Sequence, residues 1–246
     1  MTDSRLSKSL GIIVARRQSK RLPDKVLREI NGHPMIGYVC AAAAHASCLD
    51  TVVISTEDQE IASTAKSYGV SAPFLRPVEL AQDFAADFDI VHHALKTVEE
   101  LSGHHFDEIV LMQATTPFLQ PETIDACVMK LRAGSSGTVF SARVATERPQ
   151  WMFVRTQDDH VTPLLSAALS ADDQHTQNLA EAYLPTGGVY ACQREALLSS
   201  RSIYASPLDI IEVPAEQSVD IDTELDLIYA RMVADAFKFS VINQNE

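Results

Sequence analysis

Gly11-Ile12-Ile13-Val14-Ala15-Arg16-Arg17-Gln18-Ser19-Lys20-Arg21-Leu22-Pro23-Asp24-Lys25 decides the fold class: a continuous apolar run passes directly into a basic loop. An apolar run without alternation is expected of a strand covered on both faces, which is the situation of parallel strands in an α/β protein. Arg16, Arg17, Lys20, Arg21, Lys25 and Arg28 place six cations within thirteen residues, opposed locally only by Asp24. Such a loop is either a hydrated basic turn or a seat for an anion. Its position at the end of the first strand favours the seat, because ligands of open α/β sheets lie beyond the carboxyl ends of the strands. Pro23 stiffens the turn, and Ser19 offers a hydroxyl to a phosphate oxygen. The loop is neither a Gly-x-x-x-x-Gly-Lys-Ser/Thr phosphate loop nor a Gly-x-Gly-x-x-Gly dinucleotide turn.

Outward from this stretch, apolar runs at 10–15, 51–56, 109–113 and 138–142 alternate with helical patterns at 34–45, 57–68, 88–101 and 121–131. Pro34 and Pro121 suit first-turn positions, and Gly69 and Gly103 suit helix C-terminal stops. The alternation predicts an α/β fold with a mostly parallel sheet flanked by helices. The rhythm breaks between about 143 and 183, where an extended excursion or small lobe is expected, with a hairpin around Trp151, Val154 and Val161. It resumes with strands at 188–192 and 208–213 and ends in an amphipathic helix from 223 to about 237. One domain over 1–246 with this inserted lobe is the expected organisation. A lid or an oligomer contact is the expected use of the lobe.

The 246 residues are 46% hydrophobic, enough for one large core. A net charge of −13 argues against a general binder of nucleic acid or membrane surface, which needs a broad basic face. No apolar run approaches the roughly 18–20 residues of a membrane span. Residues 1–8 are polar, without the apolar centre of a signal peptide, so a cytoplasmic location is expected. Cys40, Cys48, Cys127 and Cys192 form no Cys-x-x-Cys pair and read as reduced thiols, most of them buried.

Two further constellations carry chemistry. In Ser218-Val219-Asp220-Ile221-Asp222-Thr223-Glu224-Leu225-Asp226, an extended backbone turns Asp220 and Asp222 to one face and buries Val219 and Ile221 on the other. Two neighbouring carboxylates suit a hard divalent cation such as Mg²⁺, which takes one or two carboxylates and shares substrate phosphate oxygens. The competing reading has Asp222 capping the final helix, with Glu224 and Asp226 complementing its dipole. In Leu111-Met112-Gln113-Ala114-Thr115-Thr116-Pro117-Phe118, the residues Gln113, Thr115 and Thr116 are uncharged hydrogen-bonding groups at a strand end. They suit sugar hydroxyls or a base, or a plain turn before the next helix.

Taken with these motifs, the chain resembles the sugar-acid cytidylyltransferases, most closely the acylneuraminate type, over nearly its whole length. The resemblance rests on Ala15-Arg16-x-x-Ser19-Lys20-Arg21-Leu22-Pro23-x-Lys25, Leu75-Arg76-Pro77-x-Glu79-Leu80-Ala81 and Gln113-x-Thr115-x-Pro117. It continues in Gly187-Gly188-Val189-Tyr190 and in the segment from Ser218 to Asp226. Asn31-Gly32-His33-Pro34-Met35-Ile36 also resembles the related 3-deoxy-octulosonate enzymes. The resemblance implies a Rossmann-like nucleotidyltransferase fold, a homodimer formed through the lobe, and transfer of CMP from CTP to the anomeric hydroxyl of a sialic-acid-like sugar acid with release of pyrophosphate. It implies that Arg16, Ser19, Lys20 and Lys25 hold the triphosphate, that Arg21 assists, and that Arg76 approaches the nucleotide. Asp220 and Asp222 would hold Mg²⁺, Gln113 would meet the sugar, and Tyr190 would line its pocket, with Arg16, Lys25 and Asp222 as the catalytic set.

The phosphate side matches the family and the sugar side departs from it. Val26 stands where many members carry Asn, and Asp87 where a serine commonly meets the nucleotide. Thr176 and Thr186 replace residues that grip the sugar's carboxylate and hydroxyls, and threonine lacks the bidentate clamp of arginine. His175, Arg148 and Arg155 are candidate substitutes. Two alternatives follow: a nucleotidyltransferase for another NTP or sugar, or a non-catalytic protein that binds a nucleotide sugar. His92 and His93 sit in a helical pattern and read as structural.

Overall fold

Strand β1 (Ser9–Val14) hydrogen-bonds on both sides because its backbone is enclosed and its side chains alternate between two cores. Leu10 and Ile12 pack on one face of the sheet, Ile13 on the other, and all three are fully buried. Each such side chain is worth about 1.5–3 kcal/mol of burial, and this term holds the basic loop at the strand's end. The computed structural model describes residues 7–165 and 180–241.

After β1 the chain forms a two-residue ladder, β2 (Glu29–Ile30) with β3 (His33–Pro34), then α1 (Met35–His45), β4 (Thr51–Ser55) and α2 (Gln59–Ser67). Helix α3 (Asp87–Ser102) leads to β5 (Glu108–Gln113), and α4 (Pro121–Ala133) to β6 (Thr138–Val144). A small hairpin, β7 (Phe153–Arg155) with β8 (Val161–Pro163), precedes β9 (Tyr183–Gln193), α5 (Arg194–Ser200), β10 (Leu208–Glu212) and α6 (Glu224–Phe237). The central sheet has the order β10-β6-β9-β5-β1-β4, and every pairing is parallel except those of β9. The mostly parallel sheet flanked by helices is thus present, with one antiparallel strand in its middle. From β1 the chain moves to β4 on one side and then to β5 on the other. That reversal opens a crevice beyond the carboxyl ends of β1 and β5.

Helices α1, α2 and α4 cover one face of the sheet and α3 and α5 the other. Helix α1 is buried almost all round, since α6 packs on its outer side through Leu227, Ala230 and Ala234 against Met35, Tyr38 and Ala41. Gly37 permits this crowding on the α2 side, because a Cβ there would lie 2.7 Å from the Tyr68 ring. Pro121 occupies the first turn of α4, and Gly103 closes α3 at φ +69°. Pro34 is the residue before α1 rather than its first turn, because it also pairs with Glu29 in the β2–β3 ladder.

The expected hairpin at Trp151, Val154 and Val161 forms, following a 3₁₀ turn at Pro149–Trp151. Strand β9 begins at Tyr183, five residues before its apolar run. Leu184-Pro185-Thr186-Gly187 lies outside the strand expected at 188–192, yet it pairs with β6 beyond an irregularity between Phe140 and Ala142. Gly187 makes this possible at φ +78°, with a Cβ there meeting Gln113 Oε1 at 2.6 Å. Helix α5 escapes the periodicity analysis because only Leu197 of its seven residues is buried. His175 and Thr176 lie outside the described residues.

Candidate active site

The crevice holds a cleft of about 360 Å³ whose walls come from four segments far apart in sequence. Arg16, Ser19 and Lys25 come from the loop after β1, and Gln113 and Thr115 from the end of β5. Asp220 and Asp222 come from the segment before α6, and Arg76, Leu80, Asp83 and Asp87 from the stretch leading into α3.

The acidic pair is placed by backbone chemistry. Val219 and Ile221 are buried against α1 and α6, and the Ile221 amide donates to the Thr115 carbonyl at 3.0 Å. This bond stitches the acidic segment to the end of β5, and strand-like alternation turns both aspartates toward the cleft. Asp222 does not cap α6. Thr223 does, in a capping box with Asp226, whose carboxylate also accepts from the Asp222 amide at 3.1 Å.

Asp222 is therefore free to face the basic loop. It accepts from Lys25 Nζ at 2.8 Å and from Arg21 at 2.5 Å. Burial would raise its carboxyl, but the Lys25 and Arg21 contacts outweigh this and hold it below the usual carboxylate range. Asp220 moves the other way. Although its edge is open to the cleft, burial of the carboxyl raises it more than a hydrogen bond from Thr115 lowers it, and the Asp222 charge adds to the rise.

The remaining loop cations are also engaged. Arg16 and Lys20 both meet Asp83, Arg17 meets Asp24 and Glu60, and Arg28 meets Glu224. Sequence showed only Asp24 opposite six cations; folding brings the other acids from positions 58 to 224. Ser19 lines the cleft with no hydrogen bond among the described residues. Arg76 forms the floor: it is 4% exposed and donates to the carbonyls of Ser55 and Ala15 and to Glu57, while its Nε has no hydrogen-bond partner among the described residues.

The sugar-side residues separate. Gln113 lines the cleft over Gly187. Thr186 does not reach it: the side chain is buried, with its hydroxyl 2.6 Å from Ser141 Oγ and 3.3 Å from the Ser141 carbonyl. The β6–β9 irregularity occupies that hydroxyl, which also accepts from the Gly188 amide at 3.3 Å, while the Ser141 hydroxyl accepts from the Val189 amide at 3.1 Å. Tyr190 also stands behind the wall, 4% exposed, stacked on Phe140 and accepting a hydrogen bond from the Tyr204 hydroxyl. Burial first, then Tyr204, raises its phenol, and Asp87 and Asp220 contribute through their charge. Arg155 pairs with Asp159 in the hairpin and Arg148 precedes the 3₁₀ turn; neither lines the cleft. His93 packs edge-on against Phe74, and His92 stacks on Phe88, as structural histidines do. Sequence reasoning missed Asp83, since nothing in its local pattern shows that it reaches residues 16 and 20.

A model of the family "Cytidylyltransferase" matches residues 10–199. The chain belongs to the cytidylyltransferase family. This cytidylyltransferase is 31% identical over 221 residues to CMP-N,N'-diacetyllegionaminic acid synthase of Legionella pneumophila, covering 88% of this chain and 92% of that one. It is 29% identical over 230 residues to pseudaminic acid cytidylyltransferase of Campylobacter jejuni, covering 92% and 96%. Among solved structures, CMP:2-keto-3-deoxy-manno-octonic acid synthetase complexed with CTP superposes with a TM-score of 0.66. The identity is 19%, over 95% of this chain and 100% of that one, a likeness of fold. The cytidylyltransferase is a nucleotidyltransferase enzyme with a Rossmann-like fold. Among the described residues, no helix is long and apolar enough to cross a membrane.

The residues present fit a magnesium ion. Asp220 presents hard oxygen donors to the cleft next to Asp222 and forms no ion pair among the described residues. Among the described residues no three acidic, His or Cys side chains converge as a metal cage. A cation here would rely on one or two carboxylates and on ligand oxygens, the habit of Mg²⁺.

Proposed function

We propose that this cytidylyltransferase transfers CMP from CTP to the anomeric hydroxyl of a sialic-acid-like sugar acid. The observation that carries the reading is the opposition, across one cleft at the carboxyl ends of β1 and β5, of Arg16, Ser19 and Lys25 to Asp220 and Asp222. Arg16, Ser19, Lys20 and Lys25 bind the triphosphate, Arg21 assists, and Arg76 supports the loop from below. The sugar hydroxyl oxygen bonds to the α-phosphorus, the bond to the β-phosphate bridging oxygen breaks, and pyrophosphate leaves while the hydroxyl proton passes to solvent. Arg16 and Lys25 orient the phosphates and stabilise the charge that grows on their oxygens, as phosphoryl transfer requires. Asp220 and Asp222 hold Mg²⁺, which supplies charge neutralisation when bound. Gln113 orients the sugar acid, and Tyr190 backs the wall of that pocket.

The relatives act on diacetyllegionaminic and pseudaminic acids by name, which supports a nonulosonic acid as acceptor. Incubation with CTP, Mg²⁺ and legionaminic, pseudaminic or N-acetylneuraminic acid should release pyrophosphate with one of them. Absence of turnover with each acid and each NTP would refute the reading.

We also propose that the protein works in the cytoplasm as a homodimer joined through the lobe at about 143–183. Phe153, Val154, Val161 and Tyr183 are all exposed there. Light scattering should give a dimer mass, and Phe153→Asp should shift it toward the monomer.

A further inference from the structure

The cleft does not end at the basic loop. A second cavity of about 610 Å³ lies on the outer side, between the loop and residues 81–84, lined by Arg16, Arg17, Lys20 and Phe84 among others. The two cavities share Arg16, Gln18, Ser19, Gln82 and Asp83. Their partition is thus made of side chains meeting across a gap.

Asp83 closes that gap. Its Oδ1 accepts from Arg16 Nη1 at 2.6 Å and its Oδ2 from Lys20 Nζ at 2.6 Å. Two oxygens on one carbon thereby occupy two of the three cations, Arg16, Lys20 and Lys25, that the proposed function assigns to a triphosphate. The Lys20 and Arg16 contacts hold the Asp83 carboxyl below its usual range. The segment is otherwise held lightly: Arg16 Nη1 also donates to the Ala81 carbonyl at 3.4 Å, Gln82 Nε2 to the Val78 carbonyl at 3.2 Å and the Ala85 amide to the Gln82 carbonyl at 3.2 Å, while none of residues 82–87 is buried and Phe84 is 86% exposed. Asp83 itself is 47% exposed at its side chain, and ion pairs in such surroundings are weak enough to exchange.

We propose that Asp83 is an internal counter-anion that bars a single polyphosphate trough. It occupies Arg16 and Lys20 until a polyphosphate displaces it and joins the two cavities, and it returns as pyrophosphate leaves. This inference rests on the function proposed above. An anion must satisfy both cations to open the bar, so a polyphosphate succeeds where a singly charged anion does not. Return of Asp83 competes with pyrophosphate and speeds its departure.

The test is Asp83→Asn, which keeps the side chain's shape and removes its charge, with binding of pyrophosphate and of CTP measured by calorimetry. Pyrophosphate should bind about three- to tenfold tighter to the variant, and product inhibition should strengthen by a similar factor. Asp83→Glu, with its charge retained on a longer arm, should keep an affinity near that of the wild type. Loss of a mere structural brace would loosen binding, so unchanged or weaker pyrophosphate affinity in Asp83→Asn overturns the bar. If the wild type binds neither CTP nor pyrophosphate, the proposed function itself fails. If it binds CTP and the variant binds pyrophosphate no tighter, only the bar fails.

Discussion

At the amino-terminal ends of the strands, Glu108 takes Arg132 through hydrogen bonds of 2.9, 3.0 and 2.7 Å with 1% of its side chain exposed. At the carboxyl ends of the same sheet, Asp83 takes Arg16 and Lys20 with 47% exposed, and Asp222, 35% exposed, takes Arg21 at 66% and the more enclosed Lys25 at 13%. The chemistry is the same and its consequence differs with solvent. A buried pair must be kept, because removal of one partner strands a charge away from water. An exposed pair is cheap to break, and a ligand with more charge can take its place. One end of the sheet is a clamp and the other is an exchangeable seat.

The largest effect is expected of Lys25→Ala. Under the proposed function it should lower kcat/KM by about 10²–10³-fold, the scale of removing one charge-stabilising donor, with little change in melting temperature. A larger loss of stability than of turnover would place Lys25 with the clamp. Next comes Arg132→Ala, which should cost about 3 kcal/mol in urea unfolding, the lower end for a broken buried pair because Arg132 is itself partly exposed. Its turnover per folded molecule should stay at the wild-type level.

Glu99→Gln probes a half-buried pair through pH. Burial would raise Glu99, but its bonds to Arg194, the Phe106 amide and nearby His105 hold its carboxyl below the usual range. A depressed folded pKa contributes stability above the unfolded value and loses it as pH falls through the folded value. Glu99→Gln should therefore cost about 1–3 kcal/mol at pH 7, and the gap from wild type should close below the ordinary glutamate range near about 4.3. A gap that stays constant across that range would mean that packing, rather than charge, carries Glu99. The smallest effect expected is from Thr223→Ala, about 1 kcal/mol from loss of the α6 cap, measured as a drop in melting temperature.

Strands β1, β4 and β5 and helices α1 to α4 were legible because enclosed parallel strands give unbroken apolar runs and their helices carry proline and glycine at the ends, whereas the two-residue ladder of β2 and β3 is too short to leave a pattern. Strand β9 was half hidden. An antiparallel strand bent at Gly187 carries Pro185 and Gly187 where it pairs with β6, so the apolar run marks only its second half. The acidic pair was legible through the alternation of Val219 and Ile221 with Asp220 and Asp222. The reading of Asp222 as a helix cap was not sustained, because Thr223 and Asp226 satisfy the helix end between themselves. The interior placement of Thr186 and Tyr190 had no local signal, since a threonine hydroxyl turned onto Ser141 looks the same in sequence as one turned into a cleft.

By itself, the sequence determined an α/β protein with a basic loop after its first strand and two carboxylates on one face near its end. Those features are written in local periodicity and in charge spacing. Only the tertiary structure decided what each charge faces. It brought Asp222 to Lys25 across 197 residues and Asp83 to Arg16 across 67. It also turned six apparently unopposed cations into paired ones. The physical reason is that a charge's behaviour depends on the partners and solvent within a few ångströms, and in this chain those partners come from the far ends of separately buried elements.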